Sequence, residues 1–173
     1  MVAGPDGRPT ICLNLIVKNE SRVIERCLKS VVPLIDYVLV CDTGSTDATR
    51  EIVRKFLDER GIDGKVVDEP WQNFAHNRSV ALEALRDVAG IDYGFTIDAD
   101  ETLVLDASFD PAAFKSGLTA DLYELEVWSG SSRYGRPALF SNRRPFVYRA
   151  VLHEYLEAPT GATRGGQVDG LHV

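Results

Sequence analysis

The sequence predicts an α/β fold with a mostly parallel central sheet, and three observations lead to that prediction. Runs of aliphatic and aromatic residues at positions 10–17, 37–41 and 93–97 lack polar alternation, which is typical of strands buried on both faces of a sheet. Segments with the apolar spacing of amphipathic helices separate these runs. Alternation of strands and helices predicts right-handed crossovers, with helices on both faces of the sheet.

The first half of the chain supplies each of these elements in order. A helix is predicted from residue 20 onward because its apolar residues recur at helical spacing: Val23, Ile24, Cys27, Leu28 and Val31. A second helix follows the second strand, with Ser45 or Thr46 as its N-cap and Gly61 at its end. A short strand is predicted at residues 65–68, and a third helix at residues 75–88, stopped by Gly90.

The pattern changes after residue 100. A short helix is predicted at 109–116, and residues 121–128 alternate polar with apolar side chains, as a strand with one exposed face does. A turn is predicted at residues 130–136, followed by strands at 137–140 and 145–151. The second half is therefore predicted to be smaller and antiparallel, and we expect one domain over residues 1–173, with a nucleotide-binding half at 10–101 and an acceptor-side half at 102–173.

Composition narrows the function. The net charge of −7 and the pI near 5.0 argue against binding to nucleic acid, which needs a basic surface. A metal ion can still mediate between an acidic protein and an anionic nucleotide. The three cysteines, Cys12, Cys27 and Cys41, lie in apolar segments and lack zinc-site spacing, which favours reduced core residues and a cytoplasmic location. The sequence shows no signal peptide and no transmembrane segment.

The most informative motif ends the strand predicted at residues 93–97. Asp98, Asp100 and Glu101 place three acids within four positions, and they repel one another unless a cation lies among them. Mg²⁺ and Mn²⁺ prefer oxygen ligands, and Mg²⁺ typically takes one or two carboxylates and leaves its other positions to water and substrate phosphates. The motif therefore predicts a divalent cation together with a phosphate-bearing substrate.

Polar residues also follow the other predicted strands, and ligands of open α/β sheets bind outside the carboxyl ends of the strands. Asp42 can accept hydrogen bonds from a base N–H or from ribose hydroxyls, and the turn at Gly44 lets backbone amides approach a ligand. Arg78 lies early in the third helix, where it either meets a pyrophosphate or base carbonyl or forms a surface ion pair.

Four motifs in this order resemble those of family 2 glycosyltransferases with the GT-A fold. They are Ile16-Val17-Lys18-Asn19-Glu20, the segment from Cys41 to Thr49, Trp71-Gln72-Asn73-Phe74-Ala75 with Arg78, and Ile97-Asp98-Ala99-Asp100-Glu101. The resemblance implies a nucleoside-diphosphate-sugar donor, UDP-linked by preference, Mn²⁺ or Mg²⁺ as cofactor, and inversion at the anomeric carbon. It implies a donor site formed by Val17, Asn19, Glu20, Asp42, Thr43, Gly44, Arg78, Asp98 and Ala99.

A second resemblance concerns residues 151–157, which are similar to a His-Glu motif in a bacterial branch of the family. By that similarity, the metal ligands are Asp98, Asp100 and His153, and the catalytic residues are Asp100 and Glu154, with Glu154 as the general base. Glu101 and Asp121 compete with Glu154 for that role, because adjacent residues of a regular strand point to opposite faces.

Other functions stay open at this point. A nucleotidyltransferase also combines a sheet with metal carboxylates, but it usually has a glycine-rich loop where this chain has Lys18-Asn19-Glu20. A dinucleotide-binding fold needs a Gly-x-Gly-x-x-Gly motif after the first strand, and this chain has none after Val17. A non-catalytic module that binds a nucleotide sugar or a partner protein is the further alternative. The sequence does not identify the acceptor, whether saccharide, lipid-linked glycan or protein. Trp128, Tyr134 and Phe140 either stack on it or pack in the protein. An edge strand of the antiparallel half offers a surface for a homodimer.

Overall fold

A computed structural model describes residues 7–151 and 153–173. Their principal feature is one eight-stranded sheet with the order β3-β2-β1-β4-β7-β6-β10-β5, beside a two-stranded sheet of β8 and β9. The strands are β1 (Ile11–Val17), β2 (Tyr37–Asp42), β3 (Asp63–Asp68), β4 (Tyr93–Phe95), β5 (Val104–Leu105), β6 (Leu122–Ser129), β7 (Ser132–Ser141), β8 (Val147–Arg149), β9 (Tyr155–Glu157) and β10 (Arg164–His172). The helices are α1 (Ile24–Val31), α2 (Thr49–Arg60), α3 (Phe74–Arg86) and α4 (Pro111–Ser116).

The first half is the parallel part of the sheet and confirms the predicted fold class. β1 lies between β2 and β4 and is parallel to both, and β2 is parallel to β3. Leu13 and Leu15 of β1 pack in one core cluster with α1 and α2, whereas Cys12 packs with α3 in a second cluster. Because successive strand residues face opposite sides, these two clusters show helices on both faces of the sheet.

The second half continues the same sheet. β7 pairs antiparallel with β4 and with β6, so it joins the two halves. The second half is mostly antiparallel, as predicted, and β6 with β10 is its one parallel pair among the described residues. Apart from β8 and β9, the strands of both halves thus belong to one sheet. The division into a nucleotide-binding and an acceptor-side half stays a proposal.

Several boundaries differ from the predictions for local reasons. The turn predicted at residues 130–136 was wrong: only Gly130 and Ser131 separate β6 from β7, and Gly130 takes a left-handed φ of 58°. β5, β9 and β10 were not predicted, since β5 and β9 are very short and β10 begins with Arg-Gly-Gly-Gln, a sequence of low strand propensity.

The start of α2 also differs from its prediction. Its N-cap is Ala48, not Ser45 or Thr46. Ser45 Oγ instead accepts a hydrogen bond from Asn19 N at 2.9 Å, and Thr46 N donates to Asn19 Oδ1 at 2.8 Å. These bonds tie the segment after β1 to the segment after β2, so Ser45 and Thr46 connect two loops and do not cap the helix.

Gly94 in β4 provides a test of the packing between the two halves. A Cβ at this position would lie 2.3 Å from Phe140 Cζ and 2.8 Å from Leu85 Cδ2, closer than real contacts allow. We expect Gly94→Ala to reduce the free energy of unfolding by about 1–3 kcal/mol, as overpacking of a dense core does. Urea unfolding measures the change.

Gly117, after α4, is the matched control. A Cβ there would meet its nearest atoms at 3.5 Å, which is ordinary contact, and its φ of −84° suits any residue. Gly117→Ala should change the free energy of unfolding by less than about 0.5 kcal/mol. Equal stability of Gly94→Ala and wild type would contradict the close β4 to β7 packing.

Candidate functional site

The predicted site residues gather at the carboxyl edge of the parallel strands, around a cavity of about 480 Å³. Those that line it follow β1, β2 and β4, or come from α3 and the segment between β8 and β9. They are Val17, Glu20, Thr43, Arg78, Asp98, Ala99, Asp100 and Glu154. Acids that follow β1 and β4 therefore share this cavity with Glu154.

An adjoining cavity of about 630 Å³ contains Asp42 and Gly44. It shares Lys18, Thr43 and Trp71 with the first cavity, so the two form one elongated groove. Of the predicted donor-site residues, Asn19 lines neither cavity, because its side chain is bound to Thr46. Asn19 has a left-handed φ of 57°, so it shapes the turn after β1.

Asp42 is buried at the deep side of the groove. Its Oδ1 accepts hydrogen bonds from Gly44 N at 2.9 Å, Ser45 N at 2.8 Å and Arg50 Nη2 at 2.9 Å. Burial alone would raise the pKa of Asp42, but the bonds from Arg50, Ser45 and Gly44 lower it on balance. Its Oδ2 is buried and has no hydrogen-bond partner among the residues that the structure describes, so the carboxylate keeps one unused acceptor.

Arg78 links α3 to the acidic edge. Its guanidinium donates from Nη2 to Asp98 Oδ1 and from Nε to Glu154 Oε1 at 3.3 Å, and it lies 5.5 Å from the ring centroid of Tyr148. Burial acts to lower the pKa of Arg78, but the charges of Asp98, Tyr148 and Glu154 raise it on balance. Arg78 is thus a largely buried cation between Asp98, a predicted metal ligand, and Glu154, the predicted general base, and its ion pairs do not lie on the open surface.

Uncompensated negative charge collects where Glu20 faces the turn after β4. Burial raises the pKa of Glu20, and the charges of Asp100, Asp47 and Asp98 raise it further. No group of three His, Cys, Asp or Glu side chains within residues 7–151 and 153–173 is arranged to hold a metal ion by itself. The residues fit a hard cation that takes one or two carboxylates and completes its coordination with phosphate oxygens and water.

The proposed general bases occupy different places. Glu154 lies in the segment between β8 and β9, not in a regular strand, and lines the cavity. Glu101 is bound to Arg136 through both carboxylate oxygens. Asp121 accepts hydrogen bonds from Thr163 N and Oγ1 at 2.9 and 3.1 Å, and lines neither cavity of the groove. The argument from strand alternation therefore does not apply to Glu154, and its role as general base stays a prediction.

His153 has not been brought to the site in the same way. It has a left-handed φ of 56°, it is exposed, and it lines neither cavity of the groove. Leu152, also part of the predicted His-Glu motif, lies outside the described residues. The role of His153 as a metal ligand stays a prediction.

The rim of the groove contains residues that the sequence analysis did not assign to the site. Trp71 and Phe74 line the first cavity and meet edge to face, with 4.8 Å between ring centroids. Buried Asn77 holds their loop: its Oδ1 accepts from Gln72 N at 3.0 Å and its Nδ2 donates to Pro70 O at 3.1 Å. An asparagine four residues after the Asn73 cap was the signal available in the sequence, and the structure shows that this asparagine, Asn77, is buried.

The three aromatic residues proposed for stacking on an acceptor separate into two groups. Phe140 is buried and packs against Phe146 with 5.7 Å between ring centroids, so it belongs to the core. Trp128 and Tyr134 are exposed on the β6–β7 hairpin. Trp128 stacks on His172 at 3.7 Å, and neither Trp128 nor Tyr134 lines the groove.

The sequence profile of glycosyl transferase family 2 matches residues 13–107, more than half of the 173 residues. The chain belongs to glycosyl transferase family 2. The matched residues include every strand end of the groove from β1 to the acidic turn after β4.

Curated relatives of this family 2 chain are longer than it is. It is 30% identical over 152 residues to a TPR repeat-containing protein of Synechococcus elongatus, covering 85% of this chain and 35% of that protein. It is 36% identical over 89 residues to an uncharacterized glycosyltransferase of Rickettsia conorii, covering 51% of this chain and 28% of the relative. It is 34% identical over 93 residues to the glycosyltransferase SunS of Bacillus subtilis, covering 53% and 20%. The chain therefore spans about a third or less of these relatives.

Solved structures support the fold. TarS of S. aureus, in complex with UDP-GlcNAc, aligns with a TM-score of 0.55 and 22% identity, over 71% of this chain and 36% of that chain. The mannosyltransferase PcManGT of Pyrobaculum calidifontis, in complex with GDP-Man and Mn²⁺, aligns with a TM-score of 0.56 and 21% identity, over 80% and 46%. The family 2 chain thus has the GT-A fold that the sequence predicted. Within its described residues, no helix combines the length and apolar composition needed to cross a bilayer.

Asn77 offers a test of how the rim is held in this family 2 chain. Asn77→Ala removes the hydrogen bonds to Gln72 N and Pro70 O, and two net hydrogen bonds contribute about 1–3 kcal/mol. We expect the free energy of unfolding to fall by that amount and the fluorescence of Trp71 to shift to longer wavelength. The neighbouring His76→Ala, which removes only a partly exposed contact with Glu69, is the control. A blue-shifted or unchanged spectrum in Asn77→Ala would contradict this assignment.

Proposed function

We propose that this chain carries the donor site of a glycosyltransferase that moves a sugar from a nucleoside diphosphate to an acceptor nucleophile. The observation that carries the proposal is the single groove into which Asp42, Glu20, Asp98, Asp100 and Arg78 converge. Membership of family 2 supports glycosyl transfer over nucleotidyl transfer. The complexes of TarS with UDP-GlcNAc and of PcManGT with GDP-Man support a nucleotide-sugar donor.

The base of the donor belongs in the cavity that contains Asp42. Three hydrogen bonds already use Oδ1, so the carboxylate can take one further donor, at Oδ2. Uracil presents one N–H on its pairing edge, between two carbonyls, whereas guanine presents two adjacent N–H donors. Arg50 lines the same cavity, and its Nε, which has no partner among the described residues, can donate to a uracil carbonyl. UDP is therefore the proposed nucleotide.

The diphosphate belongs beside the acidic turn. Asp98 and Asp100 would hold Mn²⁺ or Mg²⁺, with Glu20 near and His153 as a further candidate ligand. When bound, the metal supplies positive charge against the diphosphate as that group departs. Arg78 keeps Asp98 oriented through one oxygen and leaves the other oxygen available. The Mn²⁺ in PcManGT supports a divalent cation.

Glu154 is the proposed general base. It lies in the wall shared by the donor cavity and a smaller cavity of about 180 Å³, which Tyr148, Tyr155 and Arg136 also line. An acceptor O–H in the smaller cavity would give its proton to Glu154 while its oxygen bonds to the anomeric carbon and the bond from that carbon to the diphosphate oxygen breaks. One displacement of this kind inverts the anomeric centre.

The wider setting follows from less specific observations. Cys12, Cys27 and Cys41 are buried free thiols, which supports the proposed cytoplasmic location. β5 ends the eight-stranded sheet on the side of the second half and offers the proposed homodimer an edge for pairing, and β3 ends the sheet on the other side. The acceptor class stays open among a saccharide, a lipid-linked glycan and a protein.

Asp100 provides the first test of the proposed reaction. Asp100→Ala should reduce metal-dependent release of UDP from UDP-sugars by at least about 100-fold, since electrostatic groups at a departing charge contribute about 10²–10³ in rate. Because Asp100 is exposed, the melting temperature should stay unchanged. The exposed acid Asp106, outside the groove, is the control and should retain activity when changed to alanine.

A titration separates the enzyme from a binding module or an unrelated role. Metal-dependent binding of UDP with release of UDP from a sugar conjugate supports the transferase. Binding without turnover in the presence of acceptors supports the non-catalytic module. No binding of UDP or GDP, with or without Mn²⁺, would contradict the donor site itself.

Arg50 provides a test of the base preference. Wild type should bind UDP about tenfold more tightly than GDP, the equivalent of one unpaired N–H in guanine. Arg50→Ala should weaken UDP binding while Arg54→Ala, one turn further along α2 and exposed, should not. Calorimetric titration gives both affinities. Tighter binding of GDP than UDP would reject the assignment of the base.

A further inference from the structure

Glu101 binds Asp98, the first residue of the acidic turn, through both its main chain and its side chain. Its backbone N donates to Asp98 O at 3.0 Å, and its Oε2 accepts from Asp98 N at 2.7 Å. The side chain and the main chain of Glu101 therefore hold residues 98–101 in one conformation. That conformation fixes the direction in which Asp98 and Asp100 leave the backbone.

Arg136 of β7 holds Glu101 in turn. Its guanidinium binds the carboxylate through two parallel bonds, from Nη1 to Oε1 at 2.9 Å and from Nη2 to Oε2. Arg136 Nη1 also lies 3.9 Å from Asp98 Oδ2, the oxygen that Arg78 leaves free. Both side chains are more than two-thirds buried, with exposed fractions of 29% for Arg136 and 20% for Glu101.

The pair connects two parts of the proposed site. Arg136 belongs to the second half of the chain and lines the smaller cavity together with Asp98 and Glu154. Glu101 belongs to the acidic turn of the first half. The two parallel bonds between the guanidinium and the carboxylate are geometrically specific. A lysine at position 136 could not form both of them.

We propose that Glu101 and Arg136 are positioning residues of the donor site, which set the acidic turn for the cation and couple it to the acceptor side. The proposal rests on the proposed function, because it concerns the same carboxylates. Both oxygens of Glu101 accept hydrogen bonds from Arg136, so Glu101 is neither a metal ligand nor the general base. Arg136 keeps its carboxylate away from the cation and leaves Asp98 and Asp100 to bind it.

Binding of Mn²⁺ in the presence of saturating UDP tests this role without an acceptor. Arg136→Ala and Glu101→Ala should each weaken Mn²⁺ binding about tenfold, the lower range for loss of a residue that orients a metal ligand. The double variant should be no weaker than either single variant, because each removes the same brace. Arg136→Lys should bind Mn²⁺ as weakly as Arg136→Ala, because lysine cannot form the two parallel bonds to Glu101. Electron paramagnetic resonance of free Mn²⁺ measures the affinity.

Two further measurements distinguish positioning from stability alone. In the ligand-free protein, amide hydrogen exchange at residues 98–101 should speed up in Arg136→Ala and Glu101→Ala. Arg149→Ala, which breaks an exposed Arg149 to Glu157 pair of 2.8 Å in the same half, should change neither exchange there nor Mn²⁺ affinity. Lower melting temperatures alone, with normal Mn²⁺ affinity and normal exchange, would overturn the proposal.

The outcomes separate this inference from the proposed function. If wild type binds Mn²⁺ with UDP and the variants bind equally well, the positioning role is wrong and the donor site stands. If wild type binds neither, the proposed function fails, and with it the inference. If Glu101→Gln keeps full Mn²⁺ affinity yet releases no UDP from UDP-sugars in the presence of acceptor, Glu101 is the base and the positioning role is rejected.

Discussion

Repulsion among carboxylates at one edge of the sheet is the constraint on which the rest of the structure depends. Glu20, Asp98, Asp100 and Glu101 approach one another there, and the pKa of Glu20 is raised by burial and by its acidic neighbours. Arg78 and Arg136 each neutralise part of this charge, the first at Asp98 and Glu154 and the second at Glu101. The remaining charge, at Asp100 and the free oxygen of Asp98, is the part that a cation and a diphosphate would complete.

Apolar strands make it feasible to hold so much charge in place. β1 is central to the parallel half and almost wholly buried, so the polar residues after it begin from a fixed position. At its other end, Asp36 accepts from Ile11 N at 2.8 Å and binds the buried amine of Lys115, and Asp92 accepts from Thr10 N at 3.1 Å. These bonds fix the amino edge, and the carboxyl edge is left to the site.

Much of the fold and half of the site could be predicted because they depend on local patterns. β1, β2 and the helix α1 between them follow from apolar spacing. The convergence of Asp42 and Asp98 follows because parallel strands have their carboxyl ends at one edge. The bonds between Asn19 and residues 45–46 could not be predicted, since Ser45 and Thr46 are equally good caps by their sequence. The partnership of Glu101 with Arg136 joins residues 35 positions apart through β7, whose place next to β4 no local pattern indicates. The position of Glu154 depends on an irregular segment, where strand alternation does not apply.

The groove between the acidic turn and Asp42 is proposed to hold a cation and a nucleoside diphosphate together. Diffraction from crystals grown with UDP and Mn²⁺, recorded with the anomalous signal of manganese, tests this proposal most directly. We expect a manganese peak within bonding distance of the Asp98 and Asp100 carboxylates and of the diphosphate, with uracil beside Asp42. Manganese bound elsewhere, or UDP outside the groove while Asp42 and Asp98 stay unoccupied, would contradict it.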